Sequence, residues 1–363
     1  MTSKPSAARA LSRRETGRSQ NVFNVGVLVP TTGSMGLLGP SAYACARLAC
    51  DSWNEAGGVN GRPVRITVLD SSETAFVLDH ELEELLAAAA LDALVVLCNT
   101  DVCERISRLV NLRIPVVFTP QFEGHGLPAW VHTIGETPDR QVLPALDWMG
   151  THRHTRRWFL LGSDYCWPRQ THAAAKRHLY AGGASVVAER YLPLGERDFD
   201  SVIEQLSASK ADAVLINLVG SDAVHMCRAF GAAGLSDRIL RLSGCIEENA
   251  LMGMGSRNTA GLFVAAGYFA SVDSEANGSF KERYHHRFGD RAPALNSQAQ
   301  SVYEGFVHLR THTLKKMTDR GTGPRSVRAA QPGYAPDKRT PIYLAETDGM
   351  KLRVIQALDG APG

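Results

Sequence analysis

The chain has 363 residues, 44% of them hydrophobic and 21% charged, with 39 Lys and Arg against 37 Asp and Glu. That length suits two globular domains, and a formal charge of +2 is too small to support nucleic-acid or membrane-surface binding by bulk electrostatics. No run of about 18 apolar residues survives the interspersed Gly, Arg, Asp and Asn, which excludes a transmembrane span.

Taken in chain order, residues 1–21 open with five basic side chains (Lys4, Arg9, Arg13, Arg14 and Arg18) against Glu15 and contain no apolar core. A secretory signal needs such a core. Arg13-Arg14 resembles a twin-arginine export pair, but no apolar stretch follows. The segment is expected to be a disordered basic arm, and the protein is expected to be cytoplasmic.

From residue 22 short β-branched runs alternate with longer amphipathic stretches, the pattern of a parallel sheet with crossover helices. Strands are predicted at 22–30, 63–71, 91–99 and 114–120, with helices at 40–58, 74–90 and 102–112 between them. Pro40 suits a first helical turn and Gly57-Gly58 a helix stop. The pattern restarts after Thr137, with a helix through Pro144–Gly150, strands at 157–165, 185–193, 211–220 and 238–244, and helices at 171–183, 198–209 and 222–234. A strand at 259–269 marks a return between halves. Helices at 274–288 and 297–318, a Gly/Pro/Arg-rich stretch at 321–339 and a terminal hairpin at 341–358 complete the chain.

Catalytic signatures are absent: no GxSxG elbow, no GxxxxGK[ST] phosphate loop and no HExxH zinc pair occurs. The seven cysteines (Cys45, Cys50, Cys98, Cys103, Cys166, Cys227 and Cys245) show no CxxC or zinc spacing. Reduced, buried thiols are expected, with a local Cys98–Cys103 bridge as the alternative. No metal or cofactor is expected. Gly33, Gly36 and Gly39 make GxxGxxG after the first strand, one residue off the dinucleotide fingerprint, although Asp70 ends the second strand where such a site wants an acid.

In open α/β sheets, ligands bind beyond the carboxyl ends of the strands. Those ends carry Thr31–Ser34, Cys98–Asp101 and Phe118–Gly124 in the first half. In the second they carry Gly162–Arg169, Leu218–Ser221 and Cys245–Asn249.

The runs WNEAGGVNGRPV (53–64), CNTD (98–101), TPQFEG (119–124), GSDYCWPR (162–169) and CIEENAL (245–251) resemble those of type I periplasmic-binding-protein-like proteins over residues 22–320. The nearest likeness is to amide-sensing negative regulators of aliphatic amidase operons and to the solute-binding proteins of ABC transporters for urea, short amides or branched-chain amino acids. The resemblance implies an α/β fold of two lobes, each a mostly parallel sheet flanked by helices, with hinge crossovers. Lobe 1 would take 22–136 and about 268–330, and lobe 2 would take 137–267 and about 331–360.

It also implies a ligand cleft. Asn99 and Phe118 fall where the amide sensors have tyrosines, Asp101 where they have a serine, and Pro120 where they have a threonine. Tyr165 matches a ligand-contacting tyrosine, Trp167 replaces another, and Glu248 matches a cleft glutamate. Thr100, Thr119 and Gln121 complete the expected ligand-binding set.

Asp101 has a second reading as the N-cap of a capping box with Glu104, and Tyr165 and Trp167 could be core aromatics of a strand–helix junction. The function expected is a non-enzymatic, cytoplasmic amide sensor and negative regulator that releases an RNA-binding antiterminator partner when ligand arrives. The alternative is an importer's binding component facing an ABC permease, and a homo-oligomer is open in either case. A third possibility is an enzyme with Asp101 and Glu248 as an acid–base pair.

Overall fold

The computed structural model describes residues 21–313, 323–328 and 341–358. The basic arm, apart from Asn21, and most of the 321–339 stretch therefore lie outside the described residues. Two sheets organise the rest. Strands β1 (Phe23–Val29), β2 (Val64–Asp70), β3 (Ala93–Val96), β4 (Val116–Phe118) and β5 (His132–Thr133) form the first in the order β2-β1-β3-β4-β5, all parallel. Helices α1 (Gly39–Glu55), α2 (Ala75–Ala87) and α3 (Thr100–Val110) are its crossovers.

After α4 (Pro138–His152) the second sheet begins. Its strands are β6 (Arg157–Ser163), β7 (Ser185–Leu192), β8 (Ala213–Asn217), β9 (Leu240–Ser243), β10 (Leu262–Ala266), β11 (Tyr343–Asp348) and β12 (Lys351–Ala357). They lie in the order β12-β11-β10-β9-β8-β6-β7, all in one direction except β11, which is antiparallel to both of its neighbours. Helices α5 (Cys166–Ala181), α6 (Asp200–Ala208), α7 (Gly220–Ala232) and α8 (Glu248–Met254) connect the parallel strands. Then α9 (Glu275–Phe288) and α10 (Ser297–His308) return to the first sheet, where Phe280, Tyr284, Val302 and Phe306 pack with Val25, Val27 and Trp53.

Strand β1 shows why the sheets are buried on both faces. Val25, Val27 and Val29 enter one core and Leu28 the opposite one, so from Val25 to Val29 the strand carries no polar side chain. Lobe 2 is built likewise, with Phe159 and Leu161 on one face and Trp158 and Leu160 on the other.

The chain passes between lobes three times: between β5 and α4, between β10 and α9, and between α10 and β11. A buried ion pair gathers these passages. Arg328 in the third donates to Glu136 Oε1 in the first at 2.8 Å, and the same oxygen accepts from the backbone N–H of Gly267 in the second at 3.1 Å. Arg328 and Glu136 are 2% and 4% exposed. The guanidinium also donates to Gln300 Oε1 and to the Ser297 carbonyl on α10, while Glu304 accepts from the backbone N–H of Val327 and of Arg328. Only glycine fits at 267, because a Cβ there would lie 2.1 Å from Glu136 Oε1.

Two elements differ from the sequence expectation in kind. Strand β5 and helix α8 were not anticipated, and α5 begins at Cys166 rather than at residue 171.

Candidate ligand-binding site

The lobes meet around a cavity of about 30 Å³ at the carboxyl ends of the strands. Lobe 1 contributes Met35 and Leu38 after β1, Cys98, Asn99 and Thr100 after β3, Pro120 and Gln121 after β4, and Gln298 from the first turn of α10. Lobe 2 contributes Tyr165 and Trp167 after β6, Val219 and Gly220 after β8, and Cys245 after β9. Six of the ten expected residues stand on this wall: Asn99, Thr100, Pro120, Gln121, Tyr165 and Trp167.

The other four do not. Phe118 is fully buried in the lobe 1 core, edge-on to Phe122 at 6.5 Å between ring centroids, so it is a packing residue rather than a cleft wall. Thr119 is equally buried, its hydroxyl donating to the Val96 carbonyl at 3.1 Å and its own carbonyl accepting from Ser301. Asp101 is exposed in the first turn of α3, where a carboxylate complements the helix dipole. The capping box is corrected as well. Asn99 is the N-cap, accepting from the Val102 N–H at 3.2 Å, and Glu104 pairs with Arg108. Glu248 lies off the wall, with Oε1 accepting from the Ala270 N–H at 2.9 Å. An Asp101–Glu248 acid–base pair thus has no common cavity.

The turn between β6 and α5 sets the aromatic wall. Tyr165 is the N-cap with extended backbone, φ −150° and ψ −179°, and Trp167 follows in the first turn. Burial, with Cys245, Glu123 and Asp101 nearby, holds the Tyr165 phenol well above its usual pKa, so it stays a neutral donor. Arg169 is engaged elsewhere, paired with Asp164 at 2.7 Å and lying over the Tyr191 ring.

Across the cleft, Thr100 donates to Glu123 Oε2 at 3.0 Å, and the other oxygen of this buried carboxylate has no partner. Partial desolvation, then Glu104, keeps the Asp101 carboxyl above its usual pKa. Among the described residues, no Lys, Arg or His lines the cavity.

Hydrogen bonds cross directly between lobes. Gln121 donates to the Gly244 carbonyl at 2.7 Å, Gln298 N–H donates to the Glu247 carboxylate at 3.1 Å, and Asn249 donates to the Leu37 carbonyl at 2.8 Å. Gly220, at φ +54°, lets the Ser221 N–H donate to the Ser34 carbonyl at 2.8 Å. A Cβ at Gly220 would fall 1.8 Å from that carbonyl oxygen.

The wall's two thiols are poor nucleophiles. Burial pushes Cys245 up to about 12 and Cys98 well above its usual value, and it is the thiolate that reacts. All seven cysteines are free, so the Cys98–Cys103 bridge does not form. Among the described residues no three His, Cys, Asp or Glu side chains are grouped to hold a metal. Asp70 anchors the first turn, accepting from the Thr31 N–H at 3.1 Å and the Ser72 N–H at 2.8 Å, which explains it without a ribose. Met35, Leu38 and Gln298 complete the wall without having been anticipated. The glycine loop hinted at the first two, and nothing marked Gln298.

Two parallel-sheet lobes joined by three crossovers, with a polar and aromatic cavity at their strand ends, define a cleft-type small-molecule receptor. The chain belongs to the periplasmic binding protein family, whose model matches residues 22–333. An amino acid binding protein of Pseudomonas aeruginosa is 22% identical over 249 residues, a match spanning 67% of this chain and 66% of that protein. The fold is that of type I members. A solute-binding protein of an ABC transporter from Rhodopseudomonas palustris, solved with 3,4-dihydroxybenzoic acid, superposes with a TM-score of 0.77 at 19% identity, covering 93% of this chain and 97% of that one. The branched-chain amino acid transporter substrate-binding protein of Streptococcus pneumoniae, solved with isoleucine, gives 0.74 at 13% identity over 92% and 99%.

Proposed function

We propose that this chain is the solute-binding component of an ABC-type importer and takes a small solute bearing N–H groups, such as a short amide, urea or an amino acid. The observation that carries this reading is the cavity itself, enclosed from both lobes by Asn99, Thr100, Pro120 and Gln121 on one side and Tyr165 and Trp167 on the other. Aromatic walls with a few placed polar groups are how such sites hold small solutes.

The electrostatics narrow the class. With no cation on the wall among the described residues, a bare anion lacks a counter-charge, while the unpartnered Gln298 Oε1 on the wall offers an N–H donor an acceptor. The solved structures described as ABC-transporter and amino acid transporter binding proteins support the importer reading over the amidase-operon regulator expected from sequence. In either role, ligand acts by favouring the closed form through contacts that exist only when the lobes meet.

A second reading, a ligand sensor kept in a reducing compartment, is favoured by the seven free thiols. Fractionation of cells producing the untagged full chain separates the two. Export supports the importer, and retention with cytoplasmic markers supports the sensor.

The binding claim is tested by thermal shift and tryptophan fluorescence against acetamide, butyramide, urea, leucine, isoleucine, benzoate and 4-hydroxybenzoate. Stabilisation grows as RT ln(1 + [L]/Kd), about 2.7 kcal/mol at a hundredfold excess over Kd. Amides, urea or amino acids should shift the melting point, whereas a shift with benzoate alone would contradict the ligand class.

A further inference from the structure

Resting on the solute-binding reading above, we infer that Gln298 and Trp167 dictate the hydrogen-bonding pattern of the ligand, Gln298 as an obligate acceptor and Trp167 as an obligate donor. The polarity of Gln298 is fixed from outside the cavity. The carbonyl of Gly244 can only accept, and it takes N–H groups from Gln121 Nε2 at 2.7 Å and Gln141 Nε2 at 2.8 Å. With its amino group committed there, Gln121 turns its oxygen toward Gln298, which donates to it through Nε2.

Gln298 Oε1 is therefore the end of the relay, and it is buried without a partner. Turning the Gln298 amide over would set two carbonyl oxygens against each other. Turning Gln121 as well would set its oxygen against Gly244. Gln298 is 7% exposed and lines the cavity, so its free oxygen requires an N–H or O–H from whatever fills that space.

Trp167 on the opposite lobe is 4% exposed, and its indole N–H is also without a partner. Indole nitrogen donates only. The matching solute carries an N–H or O–H donor and a carbonyl-type acceptor in one compact group, as primary amides, ureas and amino acids do. A solute with acceptors alone satisfies Trp167 and leaves Gln298 unpaired. Sites built to hydrogen-bond a polar group reject the analogue lacking it much more strongly than apolar pockets reject a missing methylene.

The test is calorimetric titration of the full chain with two matched uncharged pairs, butyramide against 2-pentanone and urea against acetone, the second member of each lacking the nitrogen donor. Wild-type protein should bind the donor-bearing member of a pair at least about tenfold more tightly. Gln298→Met should bring the two members within about threefold. Gln121→Met frees the Gln298 amide to turn over and should narrow the ratio within a pair whatever it does to absolute affinity, which keeps the inference testable if the first variant folds poorly. Equal binding within a pair by wild type, or a preference that survives Gln298→Met, would overturn the inference and leave the receptor reading standing. Binding of neither pair would overturn the ligand classes on which it rests.

Discussion

Glu248 opens α8 with one carboxylate oxygen on the Ala270 N–H and the other buried without a partner, and burial pushes its carboxyl up to about 7 from an ordinary 4.5. Between those values the folded chain holds a proton that the unfolded chain has released. Its contribution to stability is therefore full below pH 4.5 and lost as the pH rises through 7, on the order of 3 kcal/mol at most. Glu248→Gln keeps the bond from Ala270 and should raise the melting temperature by a few degrees at pH 8 while leaving it unchanged near pH 4.5. An equal gain at both pH values would contradict the titration. Gly220→Ala places a methyl against the Ser34 carbonyl and strains a left-handed backbone. Ligand Kd should rise about tenfold or more, read by titration, because the lobes no longer close over the cavity. At this scale half of the site was legible. Tyr165 and Trp167 follow a strand and precede Pro168, but Asp101, which reads as a ligand residue because it also follows a strand end, lies off the wall. Its second reading as the cap of a box with Glu104 fails because Asn99 pre-empts the cap from two residues earlier. Phe118 looked like a cleft aromatic because strand ends are where clefts lie. Its position as the last residue of β4, facing inward against Phe122, depends on which strand face is buried.

Among the elements, the strand–helix alternation was legible throughout because each segment is long enough to show its period. The misses have physical causes. Helix α8 has seven residues and β5 two, too few for either period to register. Helix α5 starts five residues before the expected 171 and takes Pro168 into its first turn, where proline is tolerated because the missing N–H has no intrahelical acceptor. Gln298 and Gln300 on α10 are 7% and 0% exposed despite their polarity, because this turn faces the crossovers and their polar groups. The Glu136–Arg328 pair follows from the same placement. Glu136→Gln removes the negative partner of a buried guanidinium and should cost about 3–5 kcal/mol in urea denaturation. The double replacement Glu136→Leu with Arg328→Met should recover most of that loss. A single variant that costs under about 1 kcal/mol would show that the crossovers do not depend on the pair.

For the whole molecule, the cavity's size bears on dynamics. About 30 Å³ holds roughly two waters, far below the volume of a site occupied by a solute such as isoleucine. This form is closed more tightly than a solute-filled cleft allows, so the lobes must part about the three crossovers to admit a solute and then close less completely over it. Small-angle scattering of ligand-free protein should give a larger radius of gyration than the closed form, shrinking when a binding solute is added. A radius already at the closed value and unchanged by ligand would contradict hinged closure.

The most direct test of the receptor account is a calorimetric titration of wild type and Tyr165→Ala with the solute that gives the greatest thermal shift. One site per chain, with affinity reduced at least about a hundredfold by removing the Tyr165 ring, is the expected result. Undiminished affinity in Tyr165→Ala would place the ligand elsewhere and contradict a cleft walled by Tyr165 and Trp167.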